Sequence, residues 1–212
     1  DDVPVKEGLH NRHMVGLTTW HTFFARTQLT LHEKNVLVVG YGLVGQGVAA
    51  SARAFGGSVT IAELDPARRL AAQFDGWAVR PLPEAIPDAD VIVTATGAAN
   101  VINSSHLPLL RDGVFLLNVG HLPHEIEVAA LAAYAHETAL PFVEAYDVDG
   151  RIVYLLAGGA MFNLTAGDGD SLNGFDITLA VMTAGFGHII GAGETAVPGL
   201  HLLPDAVWQT AV

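Results

Sequence analysis

The sequence predicts an α/β protein with a Rossmann-type, doubly wound and mainly parallel sheet. The expected strand order is 3-2-1-4-5 plus extra strands, with helices on both faces. Three observations lead there. Short runs rich in Val, Ile and Leu, such as NVLVVG at 35–40 and GVFLLNV at 113–119, suit strands buried on both faces. These runs alternate with segments of helical periodicity. Beyond the fifth run, an Asp149-Gly150 turn between two apolar stretches marks a hairpin that adds strands.

Each element follows from local chemistry. Asn11 to Gln28 carries apolar residues at helical spacing (Met14, Leu17, Phe24). Asn35 to Gly40 is the first strand. Val44 to Phe55 is alanine-rich and helical, and stops at Gly56-Gly57. Ser58 to Leu64 reads as the second strand. Asp65 then caps a helix with Pro66 in its first turn, running to Phe74. A short strand at Ala78 to Leu82 and a weak helix at Pro83 to Ile86 come next. Asp90 to Thr96 is a strand, Ser104 to Leu110 a helix, Gly113 to Val119 a strand and Glu125 to Ala135 a helix. Pro141 to Val148 and Arg151 to Ala157 form the hairpin. Gly158 to Gly169 is a glycine-rich loop, and Leu172 to Ile190 a long apolar helix.

Composition narrows the function classes. At about 150 residues per domain, 212 residues make one or two domains. Hydrophobic residues form 50% of the chain, which excludes disorder. The absence of cysteine excludes disulfides, a cysteine nucleophile and cysteine-ligated zinc. A formal charge of −12 disfavours nucleic-acid partners. The chain opens Asp1-Asp2-Val3-Pro4 without a secretory segment, which suggests a cytoplasmic protein trimmed from, or one domain of, a longer one. The most membrane-like stretch, Ile177 to Gly193, carries no formal charge. It is shorter than the roughly 20 residues a span needs and is interrupted by Gly185, Gly187, His188 and Gly191. No membrane is expected, and the stretch reads as a buried helix or a subunit contact.

Gly40-Tyr41-Gly42-Leu43-Val44-Gly45 matches G-x-G-x-x-G between a strand and a helix, the context its mechanism requires. Gly40 permits the tight turn, Gly42 lets backbone approach a pyrophosphate, and Gly45 lets helix and strand pack. Backbone N–H groups and the helix dipole then hold the anion without a lysine. Glu63 ends the second strand, about 20 residues past the motif, where a carboxylate accepts both ribose hydroxyls. It favours NAD, because it repels a 2′-phosphate. Arg68 and Arg69 stand close and argue for NADP, unless they are solvated charges on a helix face.

Longer blocks carry a resemblance. The run VVGYGLVGQGVAASARAFGGSVTIAELDP, VTATG at 93–97, NVGHLPHEIEVAAL at 118–131, FNLTAGDG at 162–169 and VPGLHLLP at 197–204 keep one order and spacing across nearly the whole chain. They resemble the NAD-binding domain of the S-adenosylhomocysteine hydrolase (adenosylhomocysteinase) family. The resemblance implies oxidation of a ribose 3′-hydroxyl by bound NAD, elimination of the thiol, addition of water and re-reduction. It implies a nucleoside thioether as substrate and a homo-oligomer (dimer or tetramer); no metal is expected, on the histidine spacing taken up below.

It also implies site residues. Thr94, Ala95, Thr96 and Gly97 match the loop lining the nicotinamide half of the cofactor, with Val119 and Gly120 beside it. Asn163 matches the asparagine that bonds the carboxamide. His121 matches a histidine of acid/base work. VKEGLHN at 5–11 places Lys6 against the 3′-hydroxyl, with Asn11 as the adjacent active-site asparagine. The departures are specific. His10 stands where the family has a catalytic aspartate, and Asp170-Ser171 where it has His-Pro. Arg68 replaces an asparagine near the ribose, and Leu43 an aspartate of the glycine motif. The family's N-terminal substrate domain and C-terminal tail are missing. Residues 1–30 are therefore expected to connect, 31–192 to bind NAD and 193–212 to lead towards a substrate domain.

Plainer readings stand beside these. His121 can cap the helix expected from Glu125, and Lys6 can be an exposed terminal charge. Asp168 and Asp170 can serve as loop or capping residues. The pairs His10/His13 and His121/His124 have metal-compatible spacing but no third ligand. Trp20, Trp77 and Trp208 read as core or interface. The alternatives to a hydrolase are a dehydrogenase that releases NADH, and a silent NAD-responsive regulatory module.

Overall fold

The structure, a computed structural model, describes residues 3–193 and 197–212. Asp1, Asp2 and residues 194–196, near the start of the expected C-terminal segment, lie outside the described residues. The strands are β1 (Asn35–Val39), β2 (Ser58–Ala62), β3 (Ala78–Val79), β4 (Val91–Thr94), β5 (Val114–Asn118), β6 (His136–Leu140), β7 (Val143–Val148) and β8 (Arg151–Leu156). They form one sheet in the order β3-β2-β1-β4-β5-β8-β7-β6. The expected 3-2-1-4-5 core is parallel throughout, with Val36 opposite Val59 on one side and Val91 on the other. The hairpin adds β8 parallel to β5 and β7 antiparallel to β8. Asp149 (φ 53°) and Gly150 (φ 80°) supply the left-handed backbone that its tight turn requires.

The helices are α1 (Val15–Thr27), α2 (Leu43–Ala54), α3 (Pro66–Phe74), α4 (Leu82–Ala85), α5 (Val128–Leu131), α6 (Phe162–Thr165), α7 (Leu172–Ala192) and α8 (Asp205–Trp208). Asp65 caps α3 by accepting from the Arg68 N–H at 2.8 Å. Apolar side chains fill both faces of the sheet. One core joins Trp20, Phe23, Val38, Val48 and Phe162, and the other joins Leu37, Ile92, Leu116, Ile126 and Leu155.

Five expectations are corrected. The first helix does not start at Asn11: a π-helical segment, Lys6–Met14, precedes α1 and runs straight into it. The helix expected over Glu125 to Ala135 shrinks to α5, because Glu125 and Ile126 are engaged elsewhere: Ile126 bridges to Ile102. Ser104–Leu109 is a 3₁₀ turn, tightened by Pro108 inside it. Strand β6, which the sequence did not reveal, pairs with β7 and is exposed at every residue. Finally, α7 is 21 residues long, enough to cross a bilayer, and it is not buried. Phe175, Leu179, Met182, Phe186, Ile189 and Ile190 are all exposed along it.

Glycine sets how closely the helices approach. A Cβ on Gly16 of α1 would overlap the Gly47 backbone of α2, and one on Gly47 would overlap the Arg12 carbonyl of the π segment. The π segment, α1 and α2 therefore meet backbone to backbone. A second tie fixes the turn after β1. The buried Tyr41 hydroxyl donates to Asp75 Oδ2 at 2.6 Å and accepts from Trp77 Nε1 at 2.6 Å, while Arg53 lies 3.8 Å over the Trp77 ring. Burial, reinforced by the Asp75 hydrogen bond, pushes the Tyr41 phenol up to about 12. Burial and Glu144 do the same to Tyr146.

Gly47→Ala should destabilise the chain by about 1–3 kcal/mol in urea denaturation, since a rigid carbonyl must move. Gly187→Ala, with nothing within 4 Å, should be neutral or stabilising by up to about 1 kcal/mol. Two of the four tyrosines should ionise near pH 12 by phenolate absorbance. Unfolded tyrosine ionises near about 10, so the two neutral phenols favour the fold below that pH. Their contribution is lost as pH rises from about 10 to about 12. Tyr41→Phe and Tyr146→Phe should each remove one step of that absorbance.

Candidate dinucleotide site

Parallel strands end together, so the loops after β1, β2, β4, β5 and β8 gather at one edge of the sheet. The order reverses between β1 and β4, the usual place for a ligand crevice in such sheets. Every cofactor residue expected from the sequence stands on one of these loops, at the strand end before it (Thr94) or on the helix that follows.

The β1–α2 turn has the geometry the motif demands. Gly40 has φ 99°, and a Cβ there would lie 2.7 Å from the Ala95 carbonyl. A Cβ on Gly45 would overlap the Gly40 carbonyl, so this glycine lets α2 rest on the turn. Gly42 differs: a Cβ there would meet only Arg68 Nη1, at 3.8 Å. Its face is open. Gly42 is also the N-cap of α2, and no side chain caps that helix. The first N–H groups, at Leu43 and Val44, therefore face outwards for an anion, and the positive end of the helix dipole stands behind them.

Glu63 follows β2 and closes the turn from the side. Its Oε2 accepts from the Tyr41 N–H at 2.6 Å, and its Oε1 accepts from the N–H groups of Leu64 (2.7 Å) and Asp65 (2.9 Å). Three backbone donors hold the carboxylate at the strand end. Arg68 is exposed on α3, with its guanidinium beside the open face of Gly42.

Two residues that sequence reasoning did not single out organise the other half. Glu125 is fully buried. It accepts from the Thr96 N–H (2.9 Å), the Thr96 hydroxyl (2.8 Å) and the Gly97 N–H (2.7 Å), and so fixes the turn after β4. A Cβ on Gly120 would overlap this carboxylate. Asn118, also fully buried, accepts from Thr94 Oγ1 (3.1 Å) and the Gly120 N–H (2.7 Å). Its amide donates to the carbonyls of Leu122 (2.9 Å) and Gly159 (3.2 Å). One side chain thus ties the ends of β4, β5 and β8. The available signal was a polar residue closing an otherwise apolar strand, and a glutamate, Glu125, inside NVGHLPHEIEV.

The remaining expected residues fall around this frame. Thr94, Val119 and Gly120 are buried, while Thr96, Gly97 and His121 are exposed at the rim. His121 caps no helix, because the chain around Glu125 is not helical. Asn163 on α6 is 1% exposed; its amide donates to Thr18 Oγ1 at 3.4 Å, and its Oδ1 is buried without a hydrogen-bond partner. Lys6, His10 and Asn11 all lie on the π segment, with Lys6 Nζ donating to Asn11 Oδ1 at 3.0 Å. A π-helix has about 4.4 residues per turn, so positions four and five apart share a face. A separate cleft of about 580 Å³ opens at the opposite end of β1, lined by Asn35, Thr60, Arg80 and Arg111. Its arginines are neutralised by Asp88 and Asp90, which makes it a poor anion site.

Comparison with known proteins agrees with this geometry. Residues 22–169 match the family model for the S-adenosyl-L-homocysteine hydrolase, NAD binding domain. An adenosylhomocysteinase of Thermotoga maritima is 35% identical over 98% of this chain and 52% of its own length. An S-inosyl-L-homocysteine hydrolase of Methanopyrus kandleri is 34% identical over 98% of this chain and 50% of its own length. The chain thus spans about half the length of these curated relatives. Among solved structures, the dipicolinate synthase A chain of Bacillus subtilis shares the fold, with TM-score 0.57 and 16% identity over 86% of this chain and 56% of its own. With the glycine turn, the strand order and this family match in agreement, the chain belongs to the S-adenosyl-L-homocysteine hydrolase family as its NAD-binding domain.

Proposed function

We propose that this chain holds NAD across the β1/β4 crevice as part of a hydrolase acting on S-adenosylhomocysteine or a related nucleoside thioether. The observation that carries the reading is the uncapped amino end of α2 beneath the open face of Gly42. The residues present fit the cofactor. Gly40, Gly42, Leu43, Val44 and Gly45 would take the pyrophosphate, and Glu63 a ribose. Arg68 stands beside the same face. The orphaned Oδ1 of Asn163 needs a donor, which a carboxamide supplies. Thr94 to Gly97 and Val119 to His121 would wall the nicotinamide half.

Bound NAD supplies a reversible hydride acceptor. The chain's own residues do the rest. Lys6, steadied by Asn11, would hold a substrate hydroxyl and take its proton. His121, exposed at the rim, would exchange a proton with the leaving group or with water. His10 would steady the face that carries Lys6 and Asn11. The exposed apolar face of α7 is read as a subunit contact within a homo-oligomer, and the complete protein as cytoplasmic. The relatives with adenosyl and inosyl names leave the base of the nucleoside open to the same reading.

Two measurements test this. The chain should bind NAD more tightly than NADP, and Gly42→Val should weaken NAD binding at least about tenfold by blocking the pyrophosphate. An NADP affinity equal to that for NAD would refute the role of Glu63. The complete protein should turn over its thioether substrate with no net rise in NADH absorbance. Steady NADH accumulation with a hydroxylated substrate would instead identify a dehydrogenase.

A further inference from the structure

Two of the sequence departures meet in space. His10 on the π segment and Asp170 in the loop before α7 are 160 positions apart, yet His10 Nε2 lies 2.7 Å from Asp170 Oδ2. His10 Nδ1 lies 2.9 Å from Oγ1 of Thr178 on α7, and the Phe175 ring stands edge-on at 6.1 Å. Each side chain of the pair is only 10% exposed. A carboxylate so enclosed needs a donor, and His10 provides it; the second oxygen, Oδ1, is buried without a hydrogen-bond partner.

Both imidazole nitrogens are therefore engaged. With Nε2–H donating to Asp170, a neutral ring accepts the Thr178 hydroxyl at Nδ1, whereas a charged ring donates from both nitrogens. In either state the ring joins elements and has no nitrogen left for a substrate. The matched family domain, 22–169, begins after His10 and ends just before Asp170. The contact thus links the segment that enters the module to the segment that leaves it.

We propose that His10 and Asp170 are a positioning pair: a buried clasp that closes the entering and leaving segments on each other and fixes the Lys6/Asn11 face. Asp170 acts through His10, and His10 through the helix that carries it. The use made of that face rests on the function proposed above; the clasp itself does not.

Amide hydrogen exchange of the 212-residue chain without cofactor tests it. His10→Asp and Asp170→His each set like groups against each other. Each should speed exchange across 6–14 about tenfold or more while leaving 35–39 unchanged, and the double exchange should return to within about threefold of the parent. Acylation of the Lys6 amine should follow the same cycle. Additive losses in the double variant, or Lys6 labelling that ignores the cycle, overturn the proposal. If the variants do not fold, the parent chain still decides. Its His10 ring N–H should give a slowly exchanging, downfield proton resonance, and free exchange with solvent refutes the clasp. None of these readouts uses NAD. Failure to bind NAD would count against the preceding reading and leave this one standing.

Discussion

The structure depends on backbone meeting backbone without side chains between. Helix α2 rests on the β1 turn through Gly45 against Gly40, on α1 through Gly47 against Gly16, and on the π segment through Gly47 against Arg12. Each contact removes a degree of freedom from the same helix. The amino end of α2 can then present its N–H groups at a fixed place, because the helix cannot slide along the sheet or rotate above it. The anion site proposed there would be a consequence of packing density rather than of any charged side chain, which is how a strongly acidic chain could carry it.

The other half of the crevice is built differently, from buried polar groups. Glu125 and Asn118 spend their hydrogen-bonding capacity on loop backbone. Leaving one such group unmatched costs about 1–3 kcal/mol, so the loops after β4 and β5 are held in the one arrangement that satisfies all of them. The crevice therefore has one wall set by contact between glycines and one set by hydrogen bonds. The exposed residues Thr96, Gly97 and His121 stand on the second wall, on turns that are rigid from beneath.

What the sequence made legible was local. Apolar runs, the Asp65-Pro66 cap, the Asp149-Gly150 turn and the glycine motif each carry their signal within a few residues, and the sheet order followed from them. What it hid was set at a distance. The helical pattern after Glu125 lost to a carboxylate recruited by Thr96 and Gly97, 28 or 29 positions away. The π register of Lys6–Met14 differs from an α-helix by one residue per hydrogen bond, and side-chain spacing does not report that. Asp170 read as a loop residue because its partner lies 160 positions upstream. Strand β6, exposed at every position, shows no alternation to find.

That same strand bears on what the sheet margins offer to another chain. An eight-stranded sheet offers two open margins, each a template for pairing with another chain. Here β3 is two residues long, too brief to template anything. Strand β6 bears His136 and Glu137, contains a register shift between Thr138 and Leu140 and gives way to Pro141. Both margins are thus blunted against runaway growth into ribbons. The homo-oligomer proposed above would then use the exposed apolar side of α7, where a two-fold, self-complementary contact closes on itself.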